Sequence, residues 1–320
     1  MEERLFTQWP NLLVSEGLVG GIDVSSLGIR YMLCDLDGHV LGRGRTDRSL
    51  ASPQEAIAEL WSQLAHHIRS LHRSEDALVR LGVSFSGVIH PKSGRVLWSP
   101  ALPTWEGYEL KGSLEDFAAA IVVANNANAG AVGEVLFGAA ADARHVAYLH
   151  LGQGVGLGIF CEGKLYAGAR GFAGEVGHMR MPGLDSPCRC GGRGHLEVCA
   201  PPFLYRDTAL EREPITDAIN SAIDAALQGI QPYRDRLSVF TESFVAALHQ
   251  IWLLLDPEVI VVGSSSGKLN SYLAREASAQ KDAWPFDRTG EWRHVKPAAR
   301  PGDSELCGAL GLALLSLTGD

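Results

Sequence analysis

The chain has 320 residues, 46% of them apolar and 20% charged, with 36 glycines, 15 prolines and a mean hydropathy of +0.03. That mixture excludes a disordered, collagen-like or coiled-coil chain, and no uninterrupted apolar run reaches the roughly 20 residues of a membrane helix. A formal charge of −9, a pI near 5.7 and the lack of any Lys/Arg cluster exclude a basic nucleic-acid module. Near the N-terminus, Glu2, Glu3, Arg4 and Trp9-Pro10 interrupt any apolar core, which is not a secretory pattern, so a cytoplasmic location is expected.

In chain order, Val19–Val24 and Tyr31–Asp35 read as strands, with Asp37-Gly38 turning the chain into Val40–Leu41. Ser52 caps a helix running from Pro53 to about Arg73, whose Ile57, Leu60, Trp61, Leu64 and Ile68 recur at helical spacing. His66, His67 and His72 on that helix read as solvated, and Trp61 as core. Val79–Ser84 is a strand running into a turn at Gly87. Leu114–Ala120 reads as helical and Ile121–Ala124 as extended. The rhythm then repeats. Val146–Leu151 and Gly156–Phe160 are strands around Gly152-Gln153-Gly154, and Glu162-Gly163 turns the chain back. Residues 215–255 are helical, Asp256-Pro257 interrupts, Val259–Val262 is a buried strand, and Ser304–Leu317 is a terminal helix. Two glycine-turned hairpin units, each followed by helix and strand, predict two related α/β lobes with a cleft between them. The expected boundaries are residues 1–122 for the first lobe and 123–303 for the second, with a helix at 304–320 packing back on the first.

Six cysteines are too few and too uneven for a disulfide scaffold, but three crowd into residues 188–199. His178, Cys188, Cys190 and His195 supply two thiols and two imidazoles, the donor set tetrahedral zinc prefers. Gly191, Gly192 and Gly194 let ligands two and five residues apart converge on one ion. Cys199 competes with His195 for the fourth position, and free thiols on a polar loop are the metal-free alternative.

These residues carry a resemblance. Gly174-Glu175-Val176-Gly177-His178, followed by Cys188-Arg189-Cys190-Gly191 and Gly194-His195-Leu196-Glu197, resembles the signature of the ROK family of sugar kinases and sugar-responsive repressors. The usual family pattern has a third cysteine where this chain has His195. Asn125-Asn126-Ala127-Asn128 is similar to the family's Asn-Asp-Ala-Asn segment. Trp105-Glu106-Gly107, Asp256-Pro257-Glu258-Val259 and Gly308-Ala309 follow in the family's order, over about residues 19 to 318. The resemblance implies an actin-like pair of lobes carrying a zinc loop, and a homodimer. It also implies sugar held by Asn125, Asn126, Glu175, His178 and Glu197. Several convergent acceptors suit a polyol, and one nitrogen of His178 binds zinc while the other meets sugar. Among bland alternatives, Glu175 and Glu197 are solvated charges, and Asn125 and Asn126 are turn residues at a strand end.

Against the kinase pattern the chain departs at four places. The base that takes the sugar proton is the Asp of Asn-Asp-Ala-Asn, here Asn126, and an amide has no useful basicity near neutral pH. The first phosphate loop, Asp-x-Gly-Gly-Thr in the family, is Asp23-Val24-Ser25-Ser26-Leu27. The second, Gly-Thr-Gly, is Gly152-Gln153-Gly154. The adenosine-side glycine run is Gly263-Ser264-Ser265. Ala101 also stands where members often place a sugar-contacting Asn. No efficient kinase is expected, and Mg-ATP enters only under the kinase alternative. A sugar sensor similar to the effector domain of ROK repressors is expected instead. Such repressors carry a helix-turn-helix module ahead of the sugar domain, and only about twenty residues precede Ile22 here, so no DNA-binding module and no membrane partner are expected.

Overall fold

The computed structural model describes residue 5 and residues 17–46, 50–279 and 294–317. The N-terminal segment holding Glu2, Glu3, Arg4 and Trp9-Pro10 lies outside the described residues. The chain divides into two compact units. One comprises Met1–Phe137, Ala167–Phe172 and Glu305–Asp320, and the other Gly138–Tyr166 and Ala173–Ser304.

The first unit opens with three antiparallel strands, β1 (Leu18–Ser25), β2 (Gly28–Asp35) and β3 (Val40–Thr46). Helix α1 (Pro53–Ser70) follows, with Ser52 accepting from the Glu55 amide and Pro53 in its first turn. It stops at Ser70, three residues short of Arg73, because His72 turns into the left-handed region with a φ of 57°. Strand β4 (Leu78–Phe85) lies parallel to β1, a small hairpin follows in β5 (Val88–Ile89) and β6 (Val96–Trp98), and β7 (Ala120–Asn125) closes the sheet. The order is β3-β2-β1-β4-β7. The boundary expected at residue 122 therefore falls inside β7, whose residues pair with Arg80–Phe85 of β4.

Two expectations in this unit are corrected. Leu114–Ala120 forms no helix; only a single tight turn, Gly112–Leu114, precedes the strand. Tertiary packing overrides helix propensity there, since Leu114 and Ala118 are buried and Phe117 stacks on Trp61 at 4.2 Å between ring centroids. Conversely, α2 (Asn126–Phe137) is a helix where the sequence pointed only to a motif. It is buried on every side from Ala127 to Glu134, so it shows no amphipathic stripe.

Alternate residues of the strands face opposite layers. Ile22, Val24, Tyr31 and Leu33 pack with Leu60, Leu64 and Ile68 of α1. Val19, Met32 and Cys34 pack on Leu306, Leu310 and Leu314 of a C-terminal helix spanning Ser304–Leu315. That helix lies directly on the sheet backbone. A methyl group at Gly82 would sit 1.8 Å from the Ala309 carbonyl oxygen, and one at Gly21 would sit 2.7 Å from the Leu310 nitrogen. Gly82→Ala is expected to lose about 3 kcal/mol in urea unfolding, the upper end of overpacking costs. Gly112→Ala, whose added methyl meets only Glu109 Cβ at 3.9 Å, is expected to stay near wild type. Equal midpoints for the two variants would refute the backbone contact.

The second unit repeats the topology. Strands β8 (Val146–Leu151), β9 (Val155–Cys161) and β10 (Lys164–Leu165) run antiparallel. Helices α3 (Ile215–Leu227) and α4 (Tyr233–Leu255) split the expected 215–255 segment, broken by Gly229 at a φ of 79° and by Pro232. Strand β11 (Val259–Gly263), helix α5 (Gly267–Ala279) and strand β12 (His294–Pro297) complete the sheet order β10-β9-β8-β11-β12. Neither α5 nor β12 was anticipated. The C-terminal helix, α6, is the one already placed at Ser304–Leu315. Among the described residues α4 alone is long and apolar enough to cross a membrane. Its Leu237, Phe240, Phe244, Leu248 and Ile251 form part of this unit's core.

Candidate functional site

The segment from Gly174 to Cys199 has no long elements and is shaped by glycines and backbone hydrogen bonds. Gly174 has a φ of 87°, and a Cβ there would meet the Leu157 carbonyl oxygen at 1.8 Å. Gly174 instead accepts from the Leu157 amide, at 2.8 Å. A short turn, Val176–His178, then presents His178. The chain crosses back on itself through Met181 N–H to Gly194 and Leu196 N–H to Met179. Between these, Cys188 N–H donates to Gly192 and Gly191 N–H donates to Cys188, with Gly191 at a φ of 89°. The result is a tight knuckle bearing Cys188 and Cys190.

One donor atom each from His178, Cys188, Cys190 and His195 lies within 4.8 Å of the others. Cys190 Sγ is 3.2 Å from His195 Nδ1, and Cys188 Sγ is 3.8 Å from His178 Nδ1. Ordinary zinc bond lengths at a tetrahedral angle place sulfur and nitrogen about 3.5 Å apart, so the four residues fit that ion. Cys199 does not join them. It is buried in the core of this unit, where its thiol pairs with Ser243. Burial pushes the Cys188 thiol up to about 11 against the pull of a backbone hydrogen bond from Cys190, while the Cys190 side chain and Glu197 add to the rise. A divalent cation would reverse that preference.

Two carboxylates converge on the knuckle. Glu175 Oε2 lies 3.7 Å from His178 Nε2, the ring nitrogen opposite the one facing Cys188. Burial, then the charge of Glu197, raises the Glu175 carboxyl to about 7. Glu197 Oε1 is 3.9 Å from Cys188 Sγ, and its Oε2 accepts from the Val155 amide at 3.4 Å. A Cβ at Gly154 would meet Glu197 Oε2 at 2.7 Å. Glu197 thus rests against the Gly152-Gln153-Gly154 loop and is no free surface charge. The structure brings together Glu175, His178 and Glu197.

Asn125 and Asn126 belong to the first unit, at the junction of β7 and α2. Asn125 Oδ1 accepts from the Ala127 amide at 2.8 Å, capping α2, while its Nδ2 donates to the Gly87 carbonyl at 2.8 Å. Asn126 occupies the first helical position, and its Nδ2 donates to Ser86 Oγ at 3.4 Å.

The residues of the loops matched to the family's phosphate loops are engaged locally. Asp23, 4% exposed, holds Arg30 Nη2 at 2.8 Å on one oxygen and Ser84 Oγ at 2.9 Å on the other. Burial raises its carboxyl above the usual range although Arg30 pulls it down. Sequence reasoning missed Arg30, yet its signal was present: a two-residue turn sets Asp23 opposite Arg30 in the β1–β2 register. Ser25 Oγ accepts from the Leu27 amide, Ser26 is exposed at the turn, and Leu27 is 60% exposed. His150 Nε2 lies 2.6 Å from where a Gly152 Cβ would stand, and the Tyr148 ring covers Gly263. Ser264 Oγ donates to buried Asn270, and Ser266 Oγ accepts from the Leu269 amide at the start of α5.

The family model described as the ROK family matches residues 19–316. The putative xylose repressor of Caldicellulosiruptor sp. (strain Rt8B.4) is 28% identical over 280 residues, 81% of this chain and 69% of its own. The chain spans between about half and about two thirds of the length of the xylose repressors it matches. The glucokinase of Pyrobaculum calidifontis is 31% identical over 304 residues, 92% of this chain and 94% of its own. A crystal structure of a ROK family glucokinase from Streptomyces griseus, in complex with glucose and AMPPNP, superposes with a TM-score of 0.75 at 26% identity. That match covers 93% of this chain and 99% of the glucokinase. By the family model and by the actin-like fold of its two units, the chain belongs to the ROK family.

Proposed function

We propose that this chain binds a sugar and senses it without phosphorylating it. The observation that carries the reading is the amide at position 126, at the N-terminus of α2, where sugar phosphorylation needs a carboxylate to accept the hydroxyl proton. Leu27 and Gln153 support it, since neither offers the hydroxyl that would meet a phosphate. Glu175 and Glu197 supply acceptors for ring hydroxyls and His178 an N–H donor at Nε2, with Asn125 and Asn126 as the amide contribution. Zinc is held by His178, Cys188, Cys190 and His195. Its role is structural: it fixes the orientation and tautomer of His178, leaving Nε2 for Glu175 and the sugar. A homodimer acting without membrane contact completes the reading. The alternative, an ATP-dependent hexose kinase, is favoured by one finding, the 31% identity to a glucokinase along nearly the whole chain.

A thermal melt of zinc-loaded protein against hexoses, pentoses and N-acetylhexosamines, each with and without Mg-ATP, separates the two. A sugar at about 100 times its Kd adds about 2.7 kcal/mol, which raises Tm by about 5 °C. The expected result is a shift with a sugar and none with Mg-ATP. A Mg-ATP shift that the sugar deepens would decide for the kinase.

A further inference from the structure

At the outer end of the β8–β9 ladder, three chemistry-bearing side chains of the second unit meet. Val146 pairs with Phe160, so one step beyond the ladder His145 comes opposite Cys161. Cys161 Sγ lies 3.7 Å from His145 Nδ1. The other ring nitrogen, Nε2, lies 3.6 Å from Glu162 Oε1. Thiol, imidazole and carboxylate thus stand in the order in which a base meets a nucleophile and a third group orients the base.

The arrangement is held from both sides. Glu258 Oε1 accepts from the backbone amides of Arg144 and His145, each at 2.9 Å. Glu162 and Gly163 turn the chain with φ values of 55° and 77°, and Gly163 N–H donates to the Arg144 carbonyl at 2.9 Å. Arg144 Nη2 holds the second Glu162 oxygen at 3.4 Å. Lys164 pairs in register with Cys161 across the β9–β10 turn, and Arg144 is engaged by Glu162. Of the six free cysteines, Cys34, Cys188, Cys199 and Cys307 are buried, and Cys190 is exposed but belongs to the metal group. Cys161 is the exposed thiol outside that group.

We propose that Cys161 is a reactive thiol that forms a reversible mixed disulfide with small disulfides, His145 accepting its proton and Glu162 orienting the imidazole. With Nε2–H directed at Glu162, Nδ1 is free to take the Cys161 proton. The thiolate attacks one sulfur of the small disulfide. A bond forms from Cys161 Sγ to that sulfur, the original S–S bond breaks, and the departing thiolate receives the proton from the imidazolium. Cys161 is oxidised, the departing sulfur is reduced, and no further reactant is required.

The test uses the zinc-loaded full chain with glutathione disulfide at pH 7, the adduct located by peptide mass spectrometry and its rate followed. A single adduct on Cys161 is expected, absent in Cys161→Ser. An unaided thiol is only about 3% ionised at pH 7, so His145→Gln should slow the reaction about tenfold or more. Glu162→Gln should slow it a few-fold. Above about pH 9, where a thiol ionises unaided, wild type and His145→Gln should converge, which mere loss of packing would not produce. No adduct, an adduct on another cysteine, or wild-type speed in His145→Gln at pH 7 would each overturn the proposal. The site of the wild-type adduct decides its first half even if a variant fails to fold.

Discussion

Cys188→Ser is expected to release the bound zinc and to abolish the sugar-induced rise in Tm, while far-UV circular dichroism stays close to wild type. Glu175, His178 and Glu197 sit on a segment of short turns held by backbone hydrogen bonds and by Met181 and Leu196 in the core, to which the proposed zinc adds a further tie. Metal binding in small Cys/His sites is worth on the order of 10 kcal/mol, far more than the few hydrogen bonds that close the knuckle. Serine keeps the size of Cys188 but gives up the thiolate, so the cost falls on metal affinity and spares packing. The rest of the unit does not depend on the ion, because its core of Leu149, Phe240, Phe244, Leu248 and Val262 lies on regular strands and helices. A chelator applied to wild type should reproduce the variant, and returning zinc should rescue wild type alone. Metal content by mass spectrometry and Tm with and without sugar are the readouts. A variant that keeps its zinc would remove Cys188 from the ligand set. A zinc-free protein that still shows the full sugar shift would uncouple the metal from recognition.

The Cys/His cluster was legible because its members are close in sequence. Cys188, Cys190 and His195 lie within eight residues, and the intervening glycines announce the turn. That His195 rather than Cys199 stands beside the other three was not legible, since this depends on which side chain the core of the second unit claims. The strands of the first unit were legible as apolar runs because both faces are covered, Ile22 by α1 and Val19 by α6. The same double coverage hid α2, whose buried circumference erases the period that reveals a helix. Leu114–Ala120 misled in the opposite direction, its helix-forming residues drawn into irregular packing around Trp61 and Phe117. Contacts between residues distant in the chain escaped altogether. That Glu197 occupies the space a side chain at Gly154 would fill follows only from the folded loop.

Asn126→Asp carries the second large effect. Wild type is expected to release no sugar-dependent ADP above background, and the variant to gain on the order of 10²- to 10⁴-fold, the usual contribution of a positioned general base. The substitution is nearly isosteric and should not disturb the fold. Residue 126 opens α2, where the helix dipole favours a carboxylate by about 0.3–1 kcal/mol. Ser86 Oγ, which now accepts from the Asn126 amide, can turn its hydroxyl to donate to the new carboxylate. Asn125, which caps the helix through Ala127 N–H, is untouched. The gain should still fall short of an efficient kinase, because Leu27 and Gln153 remain in the loops where hydroxyls would meet phosphate. Adding Leu27→Thr and Gln153→Thr to the variant should raise the rate again, and the size of that second step measures how far the loops have diverged beyond the missing base. Equal turnover in wild type and Asn126→Asp would mean that another group accepts the proton, and the kinase reading would then prevail. Sugar binding without turnover in all three proteins would place the loss at the phosphate loops, upstream of proton transfer, and leave the sensing role intact.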